Sequence, residues 1–293
     1  MRRRDFLAVA PLAAAAACRA AAPSGEGAGG GDAGAEALAG SSVSVDFGLG
    51  VQVYTLREEF AEDLDGALAG LAAIGYRHVE LWQLHGLSAT EMRSRLDAAG
   101  LRAVSSHYSL DLLRNDLDRT LDGASALGQE LMVVPSLDGD ERTADGLRRV
   151  ADDFNRLGER IRDAGMRFGY HNHDWEFEAL PDGMRPMDLL LDLTDPALVD
   201  WQMDIFWTVQ GGGDPMALLG QRAGRVTSVH VKDRSSAGDM VDVGDGVIDF
   251  RTILTEADRL GLRHAFVEHD VPADAMESVR KGFAHLNALG LAG

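Results

Sequence analysis

The chain has 293 residues, is 45% hydrophobic, and carries a formal charge of −19 with a single cysteine, Cys18. That length suits one barrel-sized domain plus a tail, with enough apolar material for a core that needs no staples. The acidic balance argues against nucleic acid as a partner, because phosphates would be repelled. One cysteine excludes an intrachain disulfide and a Cys-based zinc motif, so any metal must be held by His, Asp and Glu.

In chain order, Arg3-Arg4-Asp5-Phe6-Leu7 opens the sequence and an Ala-rich run continues to Ala17. Residues 1–18 read as a twin-arginine-type export signal, too short and too interrupted to span a bilayer as a helix. Cys18 follows Ala15-Ala16-Ala17, a weak lipobox. The expectation is an exported protein, periplasmic or anchored to the membrane by a lipid on Cys18; the alternative is cleavage nearby with Cys18 discarded. Residues 19–45 are Gly, Ala and Ser with scattered acids and no apolar period, which predicts a disordered, flexible linker. The folded domain is expected over 46–293.

From there an amphipathic stretch followed by glycine and a short apolar strand recurs. It is seen at Gly75-Tyr-Arg-His-Val-Glu80, Gly100-Leu-Arg-Ala-Val104, Gly128-Gln-Glu-Leu-Met132, Gly165-Met-Arg-Phe-Gly169 and Gly261-Leu-Arg-His-Ala-Phe266. Glycine just past a helix caps the last turn in the left-handed conformation. Short apolar strands suit a sheet covered on both faces. Eight strands are predicted, near 47–54, 78–82, 102–107, 131–135, 167–172, 199–204, 226–231 and 264–268. Helices fit between them, among them 63–74, 89–99, 142–163 and 215–221. Eight alternating units in roughly 245 residues predict an α/β fold, a single-domain (βα)8 TIM barrel. A doubly wound sheet is disfavoured, since no G-x-G-x-x-G opens a helix after the first strand; Gly211-Gly212-Gly213 reads as loop.

In a barrel, chemistry gathers where strands end and βα loops begin. The strand ends carry Gln52 and Tyr54, Glu80 and Trp82, His107, then His171-Asn172-His173-Asp174. They continue with Asp204 and Trp207, His230 with Lys232-Asp233, and Glu268-His269-Asp270. Strands five to eight each end in a metal-capable side chain, which predicts a shared metal site.

An ordered set of segments resembles the sugar phosphate isomerase/epimerase family of the xylose-isomerase-like barrels. The segments are Leu49-Gly-Val-Gln-Val-Tyr-Thr55, Gly75-Tyr-Arg-His-Val-Glu80, Gly169-Tyr-His-Asn-His-Asp174 and Met203-Asp-Ile-Phe-Trp207. Val229-His-Val-Lys-Asp233, Val243-Gly-Asp-Gly-Val-Ile-Asp249 and Phe266-Val-Glu268 complete it. The resemblance implies one divalent ion (Mn, Co, Zn or Fe) held by the ends of strands five to eight. By position these are His171, Asp204, His230 and Glu268. A glutamate is more usual at the first of these places. Strand alternation puts His171 and His173 on one side, so either could ligate; the alignment favours His171.

The family's epimerases use carboxylates from strands five and eight on opposite faces of the substrate, and this chain keeps only Glu268. The resemblance therefore implies a metal-dependent isomerase or epimerase acting on a ketose or keto-sugar through an enediolate, or a 3-keto-glycoside lyase or hydratase on the same site. Glu268 or His171 would remove the α-proton and Lys232, unless engaged with Asp233, would steady negative charge. Glu80, His107 and His173 would bind hydroxyls or relay protons. Trp82, Trp175 and Trp207 would wall the sugar ring. The rivals are a multi-metal endonuclease and a non-catalytic sugar-binding lipoprotein.

Overall fold

The computed structural model describes residues 45–292, so the readings of a leader over 1–18 and most of the linker lie outside the described residues. Eight parallel strands close into a barrel. They are β1 (Gly48–Gln52), β2 (His78–Leu81), β3 (Arg102–His107), β4 (Leu131–Val134), β5 (Arg167–His171), β6 (Asp200–Asp204), β7 (Val226–Val231) and β10 (His264–Val267). Each pairs with its sequence neighbour, and β10 returns to β1 with Gly48 opposite His264. Between β7 and β10 a small antiparallel ribbon, β8 (Asp233–Arg234) with β9 (Met240–Val241), folds over the loop.

The helices form where local chemistry places them. Ser88 caps Ala89–Ala99 in a reciprocal box with Glu91, which satisfies two otherwise orphaned backbone donors. Gly100 ends that helix at φ 74°, a left-handed position that an L side chain would strain. The longest helix, Ala144–Asp163, buries Leu147, Val150, Ala151, Phe154, Leu157 and Ile161. That spacing is one helical face, turned onto the outside of the sheet. It starts two residues later than expected because the Thr143 side chain accepts from Gly146 N–H and fixes the N-cap there.

The first strand also departs from expectation, which ran it to 54. The Gln52 side chain accepts from Tyr54 N at 3.1 Å, and the chain turns into a 3-10 segment over Val53–Leu56. A side-chain amide competing for backbone donors ends the strand. The β8–β9 ribbon was not foreseen, since two-residue strands leave no periodicity to read.

The barrel interior is layered. At its N-terminal end Arg167 pairs with Asp200, which also accepts from Thr227 Oγ1 at 2.7 Å. Higher up, the Phe266 ring lies across Gly50, where even a Cβ would come within 2.8 Å of it. Phe266 is wholly buried and its ring stands edge-on to that of His230, its register partner, 6.1 Å between centroids. Above this apolar layer the interior becomes polar.

Candidate active site

The polar layer is organised by Glu80. Register sets Glu80 opposite Gln52 on one side and Ser105 on the other. Its carboxylate accepts from Gln52 Nε2 (2.9 Å), Ser105 Oγ (2.5 Å), Gln202 Nε2 (2.7 Å) and His230 Nε2 (2.5 Å). His107 Nε2 stands 3.2 Å away. Burial opposes the ionised form, but His107 and His230 outweigh it and hold Glu80 well below the usual carboxylate range.

This fixes the protons above it. Gln202 Nε2 must face the carboxylate, so its Oε1 faces the imidazoles and can only accept. His107 Nε2 at 2.9 Å and His171 Nδ1 at 3.1 Å therefore both donate to Gln202 Oε1. His171 is left with a bare Nε2, 3.6 Å from Asp204 Oδ2. Burial, then the neighbouring rings of His230, His173 and His107, keep His171 neutral.

Asp204 closes β6. Its Oδ1 accepts from Trp207 N at 2.9 Å and starts the helix Ile205–Gln210. Its Oδ2 is buried and accepts no hydrogen bond. Lys232 Nζ lies 3.0 Å from it, close enough for charge attraction but off the direction of a bond. Burial pushes Asp204 up to about 6. Asp204, His230 and Glu268 each offer a donor atom, and the three atoms lie within 4.8 Å of one another; His107, His171 and His230 form a second such group sharing His230. His171 Nε2 reaches toward the first group through its approach to Asp204. A buried carboxylate oxygen without a donor, amid nitrogen and oxygen donors, is what a divalent first-row ion requires. These residues fit one.

His230 Nδ1 bonds Glu268 at 2.6 Å while Nε2 bonds Glu80. Burial disfavours the charged ring, but Glu268 and Glu80 win and push it up to about 10. A metal at Nδ1 would replace that proton, leaving Nε2–H on Glu80 in the carboxylate–histidine arrangement that orients metal-binding imidazoles. Lys232 Nζ touches Glu268 at 2.8 Å and Asp270 at 2.7 Å. Those carboxylates and Asp204 outweigh its burial and raise its pKa. Glu268 in turn is held well below its usual range by Lys232 and His230, against burial.

Glu80→Gln puts an amide donor where Gln52, Ser105, Gln202 and His230 all present donors. We expect the folded variant to bind Mn or Zn roughly 10- to 100-fold more weakly. Titration against a chromophoric chelator measures this, and unchanged affinity would refute the orienting role.

Above the donor atoms opens a cavity of about 700 Å3, walled by Trp82, His107, His171, His173, Trp175, Lys232 and Glu268, with Arg57, Arg142 and Asp270 also on its lining. Arg142 stacks over Trp175 at 4.6 Å. His173 is lowered to about 4, chiefly by burial and then by Lys232, and its Nδ1 has no partner. The backbone there is held by Glu176, which accepts from His173 N at 2.8 Å and from the Tyr170 hydroxyl at 2.6 Å.

Burial raises Glu176 from 4.5 to about 7. A carboxyl that holds its proton more tightly when folded stabilises the fold below its unfolded pKa, and that contribution is lost as pH rises through 7. Glu176→Gln keeps an acceptor for His173 N–H and removes the titration. The variant should melt with the wild type near pH 4.5 and above it at pH 8, by about 3 kcal/mol. Parallel melting curves at both pH values would contradict this.

Several sequence expectations need correction here. Glu80 was expected to bind substrate hydroxyls or relay protons; it is 0% exposed and its carboxylate is taken by Gln52, Ser105, Gln202 and His230, which leaves no place for a substrate hydroxyl. Lys232 does not pair with Asp233. That carboxylate instead accepts from Gly244 N, Gly246 N and Ile248 N and ties down the loop after β9. Trp207 stands beside His173, 5.8 Å between rings, rather than on the cavity wall. Gln202, Ser105 and Arg142 were missed. For Gln202 a signal was present, because it lies two residues before Asp204 and so on the same face of the strand.

Comparison with known proteins agrees with this geometry. Residues 68–289 match the family described as Xylose isomerase-like TIM barrel. The chain belongs to that family. Among its relatives, the inosose dehydratase of Clostridium beijerinckii is 25% identical over 226 residues, covering 64% of this chain and 75% of that protein. A solved sugar phosphate isomerase/epimerase from Parabacteroides distasonis superposes on this xylose isomerase-like barrel with a TM-score of 0.75 at 28% identity, covering 86% of this chain and 98% of the other. The IolI protein, solved with a zinc atom, superposes at TM-score 0.65 over 83% of this chain and 98% of its own. At 15% identity the likeness is one of fold.

Proposed function

We propose that this xylose isomerase-like barrel is a divalent-metal-dependent enzyme that removes the proton next to the carbonyl of a ketose or keto-sugar. One observation carries the reading. The donor atoms of Asp204, His230 and Glu268, with His171 alongside, gather on the floor of a sugar-sized polar cavity at the C-terminal mouth. Held by these residues, a divalent ion would supply Lewis acidity at the carbonyl and positive charge beside the enediolate.

The chain's own groups supply the rest. Glu268, ionised and on the cavity wall, is placed to take the α-proton. The Lys232 ammonium, fixed by Asp270, balances the charge that develops beside Glu268. His173 is neutral, with an unengaged Nδ1, and His107 has its Nε2 proton committed to Gln202, leaving Nδ1 to accept. Both are suited to accept hydrogen bonds from substrate hydroxyls. Trp82 and Trp175 flank the sugar ring and exclude water.

A second reading, elimination of water or of an alcohol after the same proton transfer, is favoured by a specific feature. The strand-five position holds His171 rather than a second carboxylate, which suits one base and one acid better than two opposed bases. Relatives named as inosose dehydratases support it. The test is to load the protein with Mn, Co or Zn and incubate it in D2O with ketoses, inososes and 3-keto-glycosides, followed by proton NMR. Loss of an α-proton signal identifies the substrate class, and an unsaturated product separates elimination from isomerisation. No exchange with any carbonyl sugar would overturn the proposal.

A further inference from the structure

Beside the polar cavity lies a second one of about 780 Å3, and Trp82 and His107 belong to the walls of both. The rest of its lining comes from the end of β2 and the loop after it, the start of the helix Ala89–Ala99, the end of β3, and the helices Leu110–Asn115 and Leu117–Leu127 with Asp116 between them. Leu84, Leu87, Leu112 and Leu127 make it apolar, with the Tyr108 ring on the same wall. Leu112 is 42% exposed at its edge, an unpartnered apolar side chain next to the candidate site.

Gly123 is a further sign. It lies inside the helix Leu117–Leu127, where glycine is less favourable than alanine. Its φ is not in the left-handed region. A Cβ there would meet only the Ala89 Cβ, at 3.9 Å, an ordinary contact. Neither backbone conformation nor close packing calls for glycine. With Ala89 facing it, the absent side chain keeps the cleft open.

We propose that this cleft holds an aromatic aglycone, the apolar half of a substrate whose sugar ring occupies the polar cavity. The proposal rests on the reading above for the sugar half alone. Three features select this occupant. The cleft borders the candidate site, with Trp82 and His107 on the walls of both. Its volume falls in the range of small-molecule pockets. Its leucines and aromatic rings match a flat apolar ring, while the neighbouring cavity matches hydroxyls.

The test compares phenyl β-D-glucoside with methyl β-D-glucoside, using the metal-loaded protein and its Gly123→Leu variant. Leucine projects into the cleft from the Gly123 wall, favours the helix, and sits away from every residue assigned to the chemistry. Calorimetry should show the phenyl glycoside binding wild type at least 10-fold tighter than the methyl one, and the variant should lose that preference while melting no lower. Equal affinity of the two glycosides for wild type, or an unchanged preference in the variant, overturns the proposal. Turnover is measured separately with the two 3-keto-glycosides. There Gly123→Leu should lower kcat/KM at least 10-fold for the phenyl compound and leave the methyl compound within twofold. If wild type turns over neither, the keto-sugar reading fails, while the binding experiment still decides the cleft.

Discussion

Alanine at Asp204 or at His230 is expected to strip the divalent ion from the protein and abolish turnover. Asp204 Oδ2 is buried without a hydrogen-bond donor, and His230 is the residue common to both groups of donor atoms. Removing either should weaken metal binding by more than about 100-fold, beyond what loss of an outer partner causes. The two variants should differ in stability. Asp204→Ala also loses the cap on Trp207 N, worth about 1 kcal/mol. His230→Ala leaves Glu80 and Glu268 buried without the ring that bridges them, a costlier defect. Asp204→Asn keeps an oxygen for the cap and separates the two effects. Metal content by mass spectrometry, on protein checked for folding by circular dichroism, gives the answer. Full retention of metal in both alanine variants would defeat the donor set.

Glu268→Gln should lower α-proton exchange by about 10²- to 10⁴-fold at saturating metal. The amide preserves shape but cannot take a proton, and it sets a neutral group against Lys232 and His230. Because Glu268 also belongs to the donor set, metal occupancy must be measured alongside exchange. A variant that binds metal and exchanges the α-proton at the wild-type rate would move the base elsewhere, with His173 the next candidate on the wall.

The barrel was legible because its signals are local and repeated. Glycine past each helix and a short apolar strand after it follow from capping and burial, and both recur along the chain. The strand ends were legible for the same reason, since alternation puts every second residue inward. What escaped depended on level rather than face. Glu80 and His107 both point inward, but the register of β2 and β3 sets Glu80 opposite Ser105, a full step below His107. Nothing in a single strand reports that offset. Gln202 escaped because an amide between charged residues looks inert until its partners are known. For Lys232 the sequence offered a charge-steadying role or a pairing with its neighbour Asp233, whereas folding brings Asp204, Glu268 and Asp270 around it.

The Phe266 ring packs across Gly50 and Glu80 and His230 are both 0% exposed, while His171, Lys232 and Glu268 line the cavity at the mouth. The reacting groups therefore meet solvent from that side. A substrate seated there blocks that mouth. In the proposed chemistry, a proton taken by Glu268 then exchanges with bulk water only while the mouth is open. Until then it returns to the carbon it left or leaves with the departing hydroxyl. Traffic of hydrogen between substrate and solvent is thereby tied to the opening of the site, so label carried on the substrate would survive in part through a catalytic cycle.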